Sequence, residues 1–108
     1  MSAQELTGRH RVLESVGKAV LQDRNKSYGN PEDNFTNIAN LWNAWLGATG
    51  RNVNITGVEV AHMMALMKLA RLATNNKHFD SIVDVAGYAA CAGDFVRTGG
   101  EVEVPISR

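Results

Sequence analysis

Apolar residues recur along most of this chain at spacings of three and four, the period of a helix buried on one face. Leu13, Val16 and Val20 stand at i, i+3 and i+7 and predict a first helix within 4–24, closed by Asp23 and Arg24. Phe35, Ile38, Trp42 and Trp45 follow at spacings of 3, 4 and 3 and predict a second helix with a large aromatic stripe, ended by Gly47. Its start is written in Asn30-Pro31-Glu32-Asp33: Asn30 can cap, Pro31 lacks the N–H that would go unpaired there, and two carboxylates meet the positive end of the helix dipole. The Trp pair reads as core or subunit interface, with base stacking as the other reading. After a polar loop over 48–54, Thr56 and Glu59 fit a capping box, and Ile55 with Val60 fit the hydrophobic staple across it. The third helix then runs through Leu72, apolar nearly all round, which predicts the central helix of a bundle.

A polar turn over 74–78 leads to a fourth helix over about 79–97, ended by Gly99-Gly100. Its run from Ala86 to Gly93 is mostly small residues, which lets another helix approach closely, within the fold or across a symmetry axis. Only the tail alternates, through Val102, Val104 and Ile106. The pattern therefore predicts an all-α, four-helix bundle-like domain over 1–100 and an extended tail over 101–108.

Length and charge narrow the classes. The 108 residues suffice for one core but not two. Lys plus Arg and Asp plus Glu number 11 each, so no charge excess points to a nucleic-acid polymer or an anionic membrane. Cys91 is the single cysteine, which excludes an intrachain disulfide and suits a reducing compartment. The N-terminus lacks the pattern of a signal peptide, and Val60–Leu72 is too short and too interrupted to span a bilayer. The expectation is a cytoplasmic protein, in the host cell if the chain is phage-encoded.

Chemistry concentrates in Asp23 to Phe35, where thirteen positions hold two cations, three carboxylates, three Asn, a Tyr, a Gly and a Pro. Helix-start chemistry accounts for Asn30 to Asp33, but Arg24, Lys26 and Tyr28 have no such role. Arg24 and Lys26 are suited to phosphate, and Tyr28 to stacking on a base. Further on, Asp80 and Asp84 are four apart on one helix face. Such a pair repels itself unless a cation sits between, and hard oxygen ligands so placed suit Mg²⁺ or Mn²⁺ together with substrate phosphate. A dipole role for Asp80 and an ion pair from Asp84 to Lys68 or Arg71 explain them equally well. Lys68 and Arg71, on an otherwise apolar helix, must meet carboxylates, solvent or a ligand. Glu59 meets Asp80 and Asp84 only across a subunit boundary or after a bend, because antiparallel helices set the start of one against the end of the next. His62 reads as an ordinary helix histidine and Cys91 as packing.

The segments DRNKSYGNPEDNF, IANLW, VAHMMALMKLAR and DSIVDVAGYAA together resemble a family of small uncharacterised phage and prophage proteins, over roughly residues 16–95. More distantly, the Asp80–Asp84 helix is similar to the last metal-binding helix of the MazG-like all-α nucleoside triphosphate pyrophosphohydrolases. That resemblance implies an oligomer and Mg²⁺ (or Mn²⁺) held by Asp80 and Asp84 with Glu59 as a third ligand, beside the phosphate contacts that residue chemistry suggests for Arg24, Lys26, Lys68 and Arg71. The superfamily's Glu-Glu-x-x-Glu pattern is replaced here by Glu59-Val60-Ala61-His62. The expected function is thus a MazG-like pyrophosphohydrolase acting on a nucleotide. The alternatives are a non-catalytic nucleotide or cyclic-nucleotide binder that sequesters a host signalling molecule, and a helical protein-interaction module.

Overall fold

The computed structural model describes residues 7–23 and 30–96, and these form four α-helices with no strand among them. Helix α1 spans Gly8–Lys18 and α2 Pro31–Ala48; α3 spans Gly57–Thr74 and α4 Phe79–Ala92. The all-α, four-helix reading holds. The tail over 101–108 lies outside the described residues.

Several helix ends differ from the sequence reading. The first helix is α-helical only to Lys18 and then widens into one π-helical stretch, Ala19–Asp23. Thr7 caps its start by accepting from the His10 N–H. Asn30 occupies the N-cap position of α2, but its side chain makes no capping bond, so Pro31 at the first position carries that start. Gly47 does not end α2. The helix continues through Ala48, and the residue with left-handed backbone is Gly50, at φ 89°. The Arg51 N–H donates to the Leu46 carbonyl at 2.8 Å and the Gly50 N–H to the Gly47 carbonyl at 3.0 Å, the paired bonds of a Schellman close. Helix α4 ends at Ala92, and one 3-10 turn, Gly93–Phe95, follows.

Other starts follow their sequence signals closely. The Thr56 hydroxyl accepts from the Glu59 N–H, and Glu59 Oε1 accepts from the Thr56 N–H at 2.9 Å, a complete capping box. His78, outside the usual capping residues, caps α4 through Nδ1, which accepts from the Ser81 N–H and lies 2.8 Å from the Ser81 hydroxyl.

Helices α3 and α4 pack antiparallel, with α2 against α3 and α1 against α4. Two contacts fix the antiparallel register. Gly57 faces Phe95, and Lys68 faces Asp84: eleven residues forward on α3 and eleven back on α4. At Gly57 the approach leaves no room for a side chain, since a Cβ there would stand 2.8 Å from Phe95 Cζ and 3.1 Å from Thr36 Oγ1. The run of small residues on α4 is used inside the fold: Gly87, Cys91 and Ala92 are buried, and a Cβ at Gly87 would reach Val20 at 3.4 Å.

The core is small. Phe35, Ala39, Val58, Val60, Ala61, Cys91 and Ala92 form it, with Ile38, Trp42, Tyr88 and Phe95 packed partly buried around them. Phe35 is fully enclosed and meets Tyr88 at a ring distance of 6.1 Å, tilted by 47°. The aromatic stripe of α2 is therefore buried only at its first residue, and Trp45 is 69% exposed. Nor is α3 central along its whole length. Val58, Val60 and Ala61 are buried, but Met63, Leu66, Met67 and Leu69 are exposed, because among the described residues no helix covers that face beyond the first turns.

Candidate functional site

The charged positions on α3 and α4 meet at one point. Lys68 Nζ stands 2.9 Å from Asp84 Oδ2, with the lysine side chain 14% exposed and the carboxylate 41%. Lys68 is half-buried on α3, and the antiparallel register brings Asp84 opposite. A buried ammonium needs such a partner, because its desolvation is otherwise uncompensated. Asp80, one turn before Asp84 and in the first turn of α4, is exposed, as is Arg71, three residues after Lys68. By the same register Arg71 lies opposite the Asp80–Ser81 turn. Two cations and two carboxylates thus occupy one end of the α3–α4 pair, with the inner ion pair closed and the outer residues open to solvent.

Glu59 is not part of this cluster within one chain. It lies nine residues before Lys68, about 13 Å along the helix, and faces the Gly93 end of α4. Its Oε1 is engaged in the capping box at Thr56. Among the described residues no three His, Cys, Asp or Glu side chains gather as a metal cage. Asp80 and Asp84 stand one turn apart on α4, and of the two Asp84 is the one paired with Lys68. Arg24, Lys26 and Tyr28 lie outside the described residues.

An apolar groove lies elsewhere on the fold. A groove of about 340 Å³ between α2 and α3 is lined by Trp42, Trp45, Leu46, Ile55 and Met63. Met63 and Lys68 are five positions apart, about 140° round α3, so the groove and the charged cluster lie on different sides of that helix. A smaller cleft of about 200 Å³, lined by Val20, Leu21, Asn30, Pro31, Ala90, Cys91 and Asp94, lies between the π-helical stretch, the start of α2 and the end of α4.

Asn43 was not among the residues expected from sequence. It clamps the 49–56 loop onto α2: its side-chain amide donates to the Ile55 carbonyl at 2.9 Å, and its carbonyl accepts from the Ile55 N–H at 2.8 Å. This strand-like pairing fixes the approach to the capping box and one wall of the groove. An Asn among helix-face residues gives no sequence signal of it, since the partner is twelve positions away. No helix among the described residues is long and apolar enough to cross a membrane.

Comparison with known proteins gives a family and two relatives. The model of a domain of unknown function, DUF6378, matches residues 11–96. The chain is 40% identical over 80 residues to the Gene 55 protein of Mycobacterium phage D29, covering 74% of this chain and 50% of that protein. It is 40% identical over 78 residues to the Gene 55 protein of Mycobacterium phage L5, covering 72% and 47%. The chain therefore spans about half the length of the curated relatives it matches. No solved structure matches it significantly.

Proposed function

The chain belongs to the DUF6378 family, and from that premise we propose that it binds a nucleotide through its phosphates and, as a MazG-like pyrophosphohydrolase, cleaves a nucleoside triphosphate with water to the monophosphate and pyrophosphate. The observation that carries this reading is the Lys68–Asp84 pair at 2.9 Å, flanked by exposed Arg71 and Asp80. An incoming phosphate meets a planar guanidinium donor at Arg71 and a compact charge at Lys68. Asp80 and Asp84 are the donors for Mg²⁺, and such an ion, when bound, neutralises phosphate charge and acidifies the attacking water. Lys68 holds Asp84 in place, and would donate to phosphate if the carboxylates held Mg²⁺. The test is pyrophosphate release from a panel of nucleoside triphosphates with Mg²⁺. Turnover lost in Asp80→Asn and Asp84→Asn supports the reading, and absence of turnover with every nucleotide sinks the hydrolase.

A second reading, a binder without catalysis, draws on two observations. Asp84 is already neutralised by Lys68, and no third carboxylate joins the pair among the described residues. On this reading the protein sequesters a nucleotide or cyclic nucleotide. Isothermal titration with both ligand classes, with and without Mg²⁺, separates the two. Tight metal-independent binding with the ligand recovered unchanged supports the binder, and heat-silent titrations throughout remove it.

A further inference from the structure

The groove between α2 and α3 has a wall without charge. Trp42, Trp45 and Leu46 of α2, with Ile55 and Met63 beside them, line its volume of about 340 Å³. Trp45 is 69% exposed and Met63 40%, so the described residues leave much of this wall uncovered. Clefts of about 300–1,000 Å³ are large enough to enclose small ligands, and this one takes a few aliphatic side chains.

The described residues end beside it. A Cβ on Gly57 would meet both Phe95 and Thr36, so the start of α3, the first turns of α2 and the end of the described chain come together at one point. Met63 lies six residues along α3 from Gly57, and Trp42 six along α2 from Thr36. Each is about 9 Å further along its helix. Val96 then leads into residues 97–108.

The sequence that follows has the matching chemistry. Val102, Val104 and Ile106 alternate with Glu101, Glu103, Pro105 and Ser107. In an extended segment that alternation turns three aliphatic side chains to one side and both carboxylates to the other. Pro105 has no N–H to give a ladder, and no strand stands among the described residues. The apolar side is therefore satisfied by side-chain burial and not by sheet pairing. From Val96 to Val102 an extended chain reaches about 20 Å, roughly twice the 9 Å along either helix. So short a tether holds the segment at an effective concentration on the order of millimolar, and a contact of three aliphatic side chains then suffices. We propose that segment 101–107 of this same chain docks in the α2–α3 groove, with Val102, Val104 and Ile106 against Trp42 and Trp45 and with Glu101 and Glu103 toward solvent. So placed, the segment competes with any partner for the exposed tryptophan face. The inference does not rest on the phosphate reading, since Lys68 lies on another side of α3.

Trp42 and Trp45 are the two tryptophans of the chain, so indole fluorescence reports on this groove alone. The experiment is acrylamide quenching of the full chain and its variants, with circular dichroism to confirm helix content. A carboxylate is held in water, so Val104→Glu is expected to raise the quenching constant by roughly twofold and to move the emission to longer wavelength. Ile106→Glu acts in the same direction, whereas Glu103→Gln, on the polar side, changes neither. The wild-type shielding is expected to survive roughly hundredfold dilution, because the contact lies within one chain. Equal quenching in the wild type and in both glutamate variants overturns the proposal. Shielding that fades on dilution overturns it as well and assigns the groove to a second copy. An effect of Glu103→Gln as large as that of Val104→Glu overturns the proposed alternation.

Discussion

Lys68 and Asp84 form an ion pair whose two members are unequally exposed, the ammonium at 14% and the carboxylate at 41%. Removing the carboxylate strands the more buried charge, whereas removing the ammonium leaves a carboxylate that water still reaches. Asp84→Asn is expected to cost more stability than Lys68→Met, with the larger loss on the order of 1–3 kcal/mol, measured by urea unfolding. The same pair separates the two functional readings. If the protein hydrolyses nucleotides, Asp84→Asn loses turnover. If it only binds them, freeing Lys68 from Asp84 tightens binding in the absence of Mg²⁺.

The two hydrogen bonds between Asn43 and Ile55 pin the end of the loop where it enters α3. Asn43→Ala is expected to destabilise the chain by about 1–3 kcal/mol and to speed hydrogen exchange at the Ile55 amide. Unchanged protection at that amide would show that the loop is held by Ile55 packing alone.

Two caps with different chemistry are expected to respond differently. Thr56→Ala breaks the capping box of α3 at a cost of about 0.5–2 kcal/mol. His78→Ala removes the cap of α4 and also the partner of the Ser81 hydroxyl, and Ser81 is 1% exposed. His78→Asn is expected to recover most of the loss, since Asn is a strong N-cap residue. Thermal unfolding of the three variants at one protein concentration checks the order.

Among the described residues Phe35 is the largest side chain that the fold encloses completely. Phe35→Ala is expected to cost about 3–5 kcal/mol, enough to unfold a domain with so small a core. Trp45→Ala, at a side chain 69% exposed, leaves that core intact and is expected to shift the melting temperature far less than Phe35→Ala. Thermal unfolding of the two variants side by side checks the order.

The sequence by itself determined the helices and most of what begins them. Local rules suffice there: the spacing of Phe35 and Ile38, Pro31 at a first turn, and the Thr56–Glu59 box act within four residues of one another. It was less informative at helix ends. Gly47 and Gly50 are equally plausible terminators from local sequence, and only the hydrogen bonds to Leu46 and Gly47 select the second. The charged candidates on α3 and α4 were legible as types. Which of them touch was not, because Lys68 had two possible carboxylates and Asp84 two possible cations. The antiparallel register decided it, since eleven residues from the Gly57–Phe95 contact only one such pair meets.

Burial was the other property that periodicity left open. An apolar stripe states that a face avoids water, but not what covers it. Val58, Val60 and Ala61 are covered by this chain, while Met63, Leu66 and Met67, in the same apolar run, are not. The sequence determined that α3 avoids water nearly all round, because hydrophobicity belongs to each residue. Only the tertiary structure decided how much of that demand one chain meets, because burial depends on which helices lie alongside, and here they cover α3 on one side.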